Sequence, residues 1–119
     1  MRALSEHAKK FQKELNAGTA SLILLSELSR SKQPMYGYQI AKILKESGPD
    51  LPIMKQGTLY PVLRSLEENG LLASIVEPSV SGPPRRYYQI TEEGRAALAE
   101  WLEIWQQTKK FVDTNLKEG

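Results

Sequence analysis

The sequence predicts a mainly α-helical fold with one small β-hairpin, an α+β class, from three observations. Apolar residues recur at three- and four-residue spacing in several segments, which is the pattern of amphipathic helices. Two stretches rich in Leu, Ile, Val and Tyr flank a segment of Pro, Ser and Gly, which is the pattern of two strands joined by a turn. The length of 119 residues suits one domain, and a domain of this size buries about two-thirds of its unfolded surface.

The charge is weakly basic overall but unevenly distributed. A net charge of +2 and a pI near 8.9 do not by themselves distinguish a nucleic-acid-binding protein from others. Between Arg30 and Arg64, however, six basic residues face two acidic ones, so the middle of the chain favours a polyanionic partner. The chain has no cysteine, no apolar run near the ~20 residues of a membrane span, and a charged N-terminal segment unlike a signal peptide. We therefore expect a cytoplasmic protein.

The N-terminal half predicts a polar arm followed by two helices. Residues 1–15 carry few apolar side chains and are expected to form the arm. The dense apolar run of residues 20–28 predicts a central buried helix, which ends before Pro34 because proline lacks an amide hydrogen and disfavours helix in the residue before it. A second helix is predicted from about Tyr38 to Ser47, with Gly48-Pro49 as its stop.

Residues 56–70 predict a third helix with two different faces. Apolar side chains at i, i+3, i+4 and i+7 predict a buried stripe of Leu59, Val62, Leu63 and Leu66. The other face carries polar, aromatic and guanidinium side chains, namely Thr58, Tyr60, Arg64 and Ser65. Asn69-Gly70 predicts the C-terminal end, since glycine adopts the left-handed conformation of a cap. If Thr58 is the N-cap, Pro61 falls in the first turn, where its missing amide removes no helical hydrogen bond.

A β-hairpin follows the third helix. Residues 71–77 and 86–90 have the branched and aromatic bias of strands, and the Pro- and Gly-containing segment 78–84 between them suits an exposed turn. Arg85 and Arg86 flank its tip. Because neighbouring residues of a strand point to opposite faces, we expect only one of these arginines to face a ligand.

Three helices followed by a hairpin are the order of a winged helix-turn-helix domain, predicted here over residues 16–90. In this fold the third helix enters the major groove of DNA, while the hairpin reaches the neighbouring backbone or minor groove. Arg64 suits a forked contact with guanine or phosphate. The predicted DNA-binding residues are Lys55, Gln56, Thr58, Tyr60, Pro61, Arg64, Ser65, Arg85 and Arg86.

Several of these residues have an alternative structural role. Tyr60 could pack against Tyr36 or Tyr38. Arg64 could pair with an acidic residue three or four positions later, Glu67 or Glu68. Thr58 could act only as a cap.

The last helix, predicted over residues 91–119, changes the expected architecture. Thr91 is a good N-cap, and Glu92 and Glu93 suit the first turn of a helix. Two adjacent apolar stripes follow, which is more than one neighbouring element covers, so we expect a symmetric dimer. The predicted interface residues are Leu98, Trp101, Leu102, Trp105, Val112 and Leu116. A dimer places two recognition helices about 34 Å apart, which suits an inverted repeat. Alternatively, the helix folds back and buries both stripes itself.

Enzymatic chemistry finds little support in the sequence. There is no cysteine, His7 is the only histidine, and no carboxylate pair, phosphate-binding loop or set of zinc ligands stands out. We therefore expect no enzyme activity, metal or cofactor. Two hypotheses remain: a sequence-specific DNA-binding regulator, or a winged-helix module that docks on protein without reading DNA.

Three motifs resemble those of the PadR family of transcriptional regulators, and its small subclass in particular. They are Met35-Tyr36-Gly37-Tyr38-Gln39-Ile40, Gly57-Thr58-Leu59-Tyr60-Pro61-Val62-Leu63-Arg64-Ser65-Leu66-Glu67, and Arg85-Arg86-Tyr87-Tyr88-Gln89-Ile90-Thr91-Glu92-Glu93-Gly94. The resemblance implies a bacterial DNA-binding repressor that dimerises through its C-terminal helix. It places Tyr60, Pro61 and Arg64 on the recognition helix and residues 82–86 in the wing.

The resemblance also implies a possible small aromatic effector. Relatives commonly respond to such compounds, and Trp105 falls on the interface helix where a planar ligand could stack, although an interface tryptophan also suits plain packing. The wing departs from the family pattern because it carries Gly82-Pro83-Pro84 where relatives commonly have more polar or basic residues. Fewer wing contacts with DNA are therefore expected.

Overall fold

The computed structural model describes residues 4–48 and 56–118. Its elements, in chain order, are α1 (Glu6–Arg30), β1 (Met35–Tyr36), α2 (Gly37–Ser47), α3 (Gln56–Glu68), β2 (Leu72–Glu77), β3 (Arg85–Ile90) and α4 (Glu92–Glu118). The predicted class is confirmed: the molecule is mainly helical and carries a small antiparallel sheet.

The first helix is longer than the apolar run that predicts it. α1 is continuous over 25 residues and passes without a break through residue 16, where the winged domain was expected to begin. The hydroxyl of Ser5 accepts a hydrogen bond from the amide of Ala8 at 3.1 Å and caps the helix. The side-chain amide nitrogen of Gln12 donates to the side-chain oxygen of Asn16 one turn later, at 2.9 Å. The polar arm is thus the first half of a helix whose second half enters the core.

The sheet has three strands in the order β1-β3-β2, and both pairs are antiparallel. The predicted hairpin is confirmed, with Leu72 paired to Ile90 at its base and Glu77 paired to Arg85 near its tip. The two-residue strand β1 was not predicted. It places Met35 opposite Tyr88 and Tyr36 opposite Tyr87. β3 is therefore paired along both of its edges, with β2 on one side and with β1 on the other.

The core lies where α1, α2 and α3 meet the inner face of the sheet. Its largest fully buried side chains are Leu24, Leu25, Leu28, Ile40, Leu59 and Leu63. Full burial of each side chain of this kind contributes about 1.5–3 kcal/mol. The described residues include no buried polar or charged side chain in this core. The predicted apolar stripe of α3 is thus its inner face.

The junction between α3 and α4 is fixed by two caps. Gly70 has φ +80°, and the amides of Gly70 and Leu71 donate to the carbonyls of Glu67 and Leu66 at 3.0 and 2.9 Å, which is a Schellman end. The predicted C-terminal cap at Gly70 is thus confirmed. The predicted N-cap at Thr91 is confirmed as well, since its hydroxyl accepts a hydrogen bond from the amide of Gly94 at 2.9 Å. The same hydroxyl donates to the carbonyl of Gly70 at 2.7 Å, so the end of α3 is tied to the start of α4.

α4 begins against the core and then leaves it. Leu98 is buried and Trp101 is partly buried, whereas every described side chain from 102 to 117 is exposed. The radius of gyration is 16.1 Å, compared with about 13.5 Å for a compact chain of this length. The alternative in which α4 folds back and buries both apolar stripes is therefore not what the chain adopts. No helix in residues 4–48 and 56–118 combines the length and apolar character that crossing a membrane requires.

Candidate nucleic-acid interface

The outer face of α3 follows from the helical repeat. Its inner side is formed by three buried leucines, Leu59, Leu63 and Leu66. Because successive residues are about 100° apart around a helix, Pro61, Arg64 and Ser65 lie on the opposite side, and all three are exposed. Tyr60 and Thr58 lie at the two edges of this outer face. Tyr60 borders α2 and the wing, while Thr58 borders α1.

The predicted N-cap role of Thr58 is wrong. α3 begins at Gln56, so Thr58 is its third residue and lines a groove of about 500 Å³ between α1 and α3. Pro61 is the sixth residue and lies in the second turn, not the first. Its missing amide leaves the carbonyl of Gly57 without its usual helical donor. Two of the predicted DNA-binding residues cannot be placed. Lys55 lies outside the described residues, and only the backbone of Gln56 is described.

Tyr60 packs closely against the start of α2. A Cβ atom added to Gly37 would lie 2.4 Å from Cε1 of the Tyr60 ring, which is far inside van der Waals contact. A side chain at position 37 would therefore displace the Tyr60 ring. The side chain of Tyr60 nevertheless remains 40% exposed. Tyr60 thus packs against Gly37, between the two tyrosines that the alternative named, and still presents surface to a ligand.

Arg64 is exposed and makes no ion pair or side-chain hydrogen bond within residues 4–48 and 56–118. The predicted alternative, a pair with Glu67 or Glu68, is not formed. Glu67 instead accepts a hydrogen bond from the hydroxyl of Ser74 on β2. Among these residues, therefore, nothing occupies the N–H donors of the Arg64 guanidinium.

Arg85 and Arg86 differ in their partners, as the alternation of strand side chains predicts. The guanidinium carbon of Arg85 lies 4.4 Å from the centre of the Tyr36 ring, a cation–π contact. Nη1 of Arg86 donates to the hydroxyl of Ser74 on β2 at 2.9 Å. Since Ser74 in turn donates to Glu67, Arg86 links both wing strands to the recognition helix.

Tyr88 lies at the centre of this junction. Its side chain is buried, and burial raises the pKa of its phenol above the usual 10.0. The nearby carboxylate of Glu67 raises that pKa further, whereas the guanidiniums of Arg86 and Arg64 lower it. The base of the wing and the second half of α3 thus share one electrostatic environment.

A groove of about 420 Å³ separates α3 from the wing tip. Its lining residues come from the start of α2, from α3 and from the wing, and they are Tyr36, Tyr38, Tyr60, Ser79, Ser81, Pro83 and Arg85. Tyr36 and Tyr38 are absent from the residues predicted to bind DNA. The Tyr-Gly-Tyr spacing of residues 36–38 is the signal that could have identified them. On its own, however, this spacing indicates only the start of a helix.

The predicted interface residues of α4 lie in two environments. Leu98 belongs to the core of its own chain, and Trp101 packs partly against it. Leu102, Trp105, Val112 and Leu116 are exposed. Trp105 also lines a groove of about 380 Å³ between α1 and α4, together with Leu15, Leu22 and Ile104.

Comparison with known proteins assigns the chain to a family. Residues 24–100 match the transcriptional regulator PadR-like family. A PadR family transcriptional regulator from Eggerthella lenta, of known crystal structure, is 34% identical with a TM-score of 0.78, and the match covers 96% of both chains. A transcriptional regulator from Clostridium thermocellum is 32% identical with a TM-score of 0.74, over 85% of this chain and 96% of that chain.

Two further relatives are similar in sequence. An uncharacterised protein of Lysinibacillus sphaericus is 30% identical over 93 residues, which are 78% of this chain and 83% of that protein. A transcriptional regulator of Mycobacterium tuberculosis is 54% identical over 44 residues, which are 37% of this chain and 40% of that protein. The three-helix and wing arrangement and these matches agree, and the chain belongs to the PadR-like family of DNA-binding transcriptional regulators, which are not enzymes.

Proposed function

We propose that this protein is a bacterial, cytoplasmic repressor that binds an inverted repeat in operator DNA as a homodimer. Residues 16–90 form the DNA-binding unit and residues 91–119 the dimerisation helix. The observation that carries the proposal is the exposed face of α3, on which Arg64 is free of acidic partners among the described residues, with Arg85 at the neighbouring wing. Unpaired guanidiniums in this arrangement suit both bases and phosphates.

In this reading the recognition helix supplies direct readout and the wing supplies positioning. Arg64 makes the forked base contact, while Tyr60, Pro61 and Ser65 lie along the same outer face. Lys55 and Gln56, which precede this face in the sequence, remain proposed DNA-binding residues. Arg85 contacts the DNA backbone, and Arg86 holds the wing against α3 through Ser74.

The proposed dimer covers the exposed apolar surface of α4. Leu102, Trp105, Val112 and Leu116 lie along one side of the helix and are all exposed in the single chain. The N-terminal segment adds three exposed apolar side chains, Leu4 just before α1 and Phe11 and Leu15 in its first half. Exposed apolar side chains along one side of a helix are typical of an interface between subunits.

A DNA-binding assay tests the proposal. A duplex is selected by the protein from a random library, and its affinity is measured at two salt concentrations. Because each neutralised phosphate releases counterions, the logarithm of the binding constant should fall with the logarithm of salt by about 0.9 per phosphate contact. Absent or salt-independent binding would favour the protein-docking alternative. Selected sequences without two-fold symmetry would contradict the inverted repeat.

A small aromatic effector fits the groove between α1 and α4. We place its site at Trp105, whose ring lines this groove together with the apolar side chains of Leu15, Leu22 and Ile104. Titration with planar aromatic compounds should quench tryptophan fluorescence and weaken DNA binding together. Quenching that leaves the DNA affinity unchanged would separate this groove from regulation.

A further inference from the structure

The segment Tyr36-Gly37-Tyr38 joins β1 to α2 and lies directly beside the DNA-binding face. Its sequence motif stands out in the chain, yet recognition by α3 and the wing leaves it without a role. The structure brings it into the groove between α3 and the wing tip, whose lining includes Tyr36, Tyr38 and Arg85.

Tyr36 determines where the guanidinium of Arg85 lies. On β2 the residue paired with Arg85 is Glu77, but no ion pair forms between them within 4.0 Å. The guanidinium lies instead over the Tyr36 ring, 4.4 Å from its centre. A guanidinium stacked on an aromatic face keeps its N–H donors directed outward in its own plane, where they suit phosphate oxygens.

Tyr36 is itself held by neighbouring rings. The ring of Tyr87 meets it edge-on, with centres 5.3 Å apart, and the ring of Tyr38 lies nearly parallel to it at 6.5 Å. Gly37 between them leaves the space that Tyr60 fills. Three elements thus contribute to one groove, so its shape does not depend on the wing loop alone.

The groove has the charge and polarity of an anion site. Its described lining carries one guanidinium, three tyrosines, two serines and a proline, and no carboxylate. The side chain of Tyr38 is 56% exposed at its rim. A phosphodiester of DNA is the anion that the neighbouring recognition helix would bring to this position.

We propose that this groove binds one phosphate of the DNA backbone in each half-site, with Arg85 and Tyr38 as the contacting side chains. Tyr36 and Gly37 are positioning residues, Tyr36 for Arg85 and Gly37 for Tyr60. The α2 start is then a third element of the interface besides α3 and the wing. This inference depends on the proposed DNA-binding function and adds a defined phosphate site to it.

Single-phosphate substitution tests the site. In a duplex selected by the protein, each phosphate in turn is replaced by a neutral methylphosphonate, and binding is measured for the full chain and its variants. Tyr38→Phe removes only the hydroxyl and should weaken binding to the unmodified duplex roughly tenfold. At one position in each half-site, methylphosphonate should weaken the parent protein most, weaken Tyr38→Phe less because only the contact with Arg85 remains to be lost, and weaken Arg85→Ala least. Tyr87→Phe, the same change on a ring outside the groove, should match the parent protein.

The positioning role has its own readout. Tyr36→Leu should weaken binding several-fold because Arg85 loses its support, whereas Tyr36→Phe keeps the ring and should restore parental affinity. Arg85→Ala should reduce the salt dependence by about 0.9 per half-site. If every methylphosphonate weakens Tyr38→Phe as much as the parent protein, the phosphate site is wrong although DNA binding stands. If the parent protein selects no duplex, the failure lies in the proposed function.

Discussion

Arg64 combines exposure with the absence of an acidic partner among the described residues. Its truncation leaves no buried group unpaired, so the fold should be unaffected. We expect Arg64→Ala to lower the affinity for a selected operator by about 1–3 kcal/mol, the range of a bidentate contact with a base. Fluorescence anisotropy with the selected duplex and a scrambled duplex measures the change.

The comparison of two substitutions separates base readout from charge. Arg64→Lys keeps the positive charge but lacks the planar fork, so it should retain scrambled-duplex binding and lose preference for the operator. An unchanged operator affinity in Arg64→Ala, with an unchanged unfolding midpoint, would reduce Arg64 to a surface residue without a role in recognition.

The raised pKa of Tyr88 predicts that the free energy of unfolding decreases at alkaline pH. Burial raises its pKa above 10.0, with the carboxylate of Glu67 adding to the shift, so the fold favours the protonated phenol. The unfolded chain therefore releases this proton first as the pH rises. The contribution of Tyr88 is complete below about pH 10 and is lost as the pH rises through the raised pKa of the folded state. Urea unfolding on both sides of this pH should reveal a decline that is smaller in Tyr88→Phe. An equal decline in the two proteins would assign it to other groups.

The outer face of α3 could be predicted from the sequence because it depends only on helical periodicity. Leu59, Leu63 and Leu66 define the inner side, and Arg64 and Ser65 must then lie outside. The groove beside the wing could not be predicted in the same way. It depends on a contact between Gly37 and Tyr60, residues far apart in the chain whose proximity only the packed fold specifies.

Long, periodic elements were predictable, and short or overlapping ones were not. β1 has two residues and no periodicity of its own, and it exists because β3 offers a free edge. The start of α3 at Gln56 agrees with the predicted range, but its N-cap was assigned wrongly because a threonine before an apolar run suggests a cap, whereas Gln56 and Gly57 already belong to the helix. α1 extends through a polar segment because Ser5 caps it and nothing in residues 6–30 breaks it.

Gly94 fixes the approach of α4 to the sheet. A Cβ atom at this position would lie 2.2 Å from the carbonyl oxygen of Leu71 and 2.8 Å from a side-chain carbon of Ile90. Because the first of these contacts involves backbone, the helix must move to accommodate any side chain. We expect Gly94→Ala to reduce the free energy of unfolding by about 1–3 kcal/mol, measured by urea titration.

The matched control for this change is Gly57→Ala. Gly57 also lies in a helix, but a Cβ atom there meets nothing within 4 Å, so the substitution should be neutral or slightly stabilising. A neutral Gly94→Ala would mean that α4 is not held closely against the start of β2.

The shape of the whole molecule points beyond a single chain. The compact part consists of α1 to β3, while the second half of α4 extends away from it without covering its own apolar side chains. Phe111 is 74% exposed, and Trp105 is 37% exposed. Burial of such surface between two chains would also fix the distance between the two recognition helices. An interface formed by α4 would therefore also set the spacing between the two half-sites of the operator.

Charge introduced along α4 should separate dimerisation from DNA contact. Val112→Glu combined with Leu116→Glu places two carboxylates on the exposed apolar side, and burying them without partners would cost several kcal/mol. We expect light scattering to give the mass of one chain, 13.4 kDa, where the parent protein gives about twice that value. Affinity for the full operator should fall at least roughly a hundredfold through loss of the second site, whereas affinity for an isolated half-site should be retained. Gln107→Glu combined with Thr114→Glu adds the same two charges on nearly the opposite side of α4 and should remain dimeric. A parent protein that is monomeric, or a double variant that stays dimeric, would show that α4 does not form the interface.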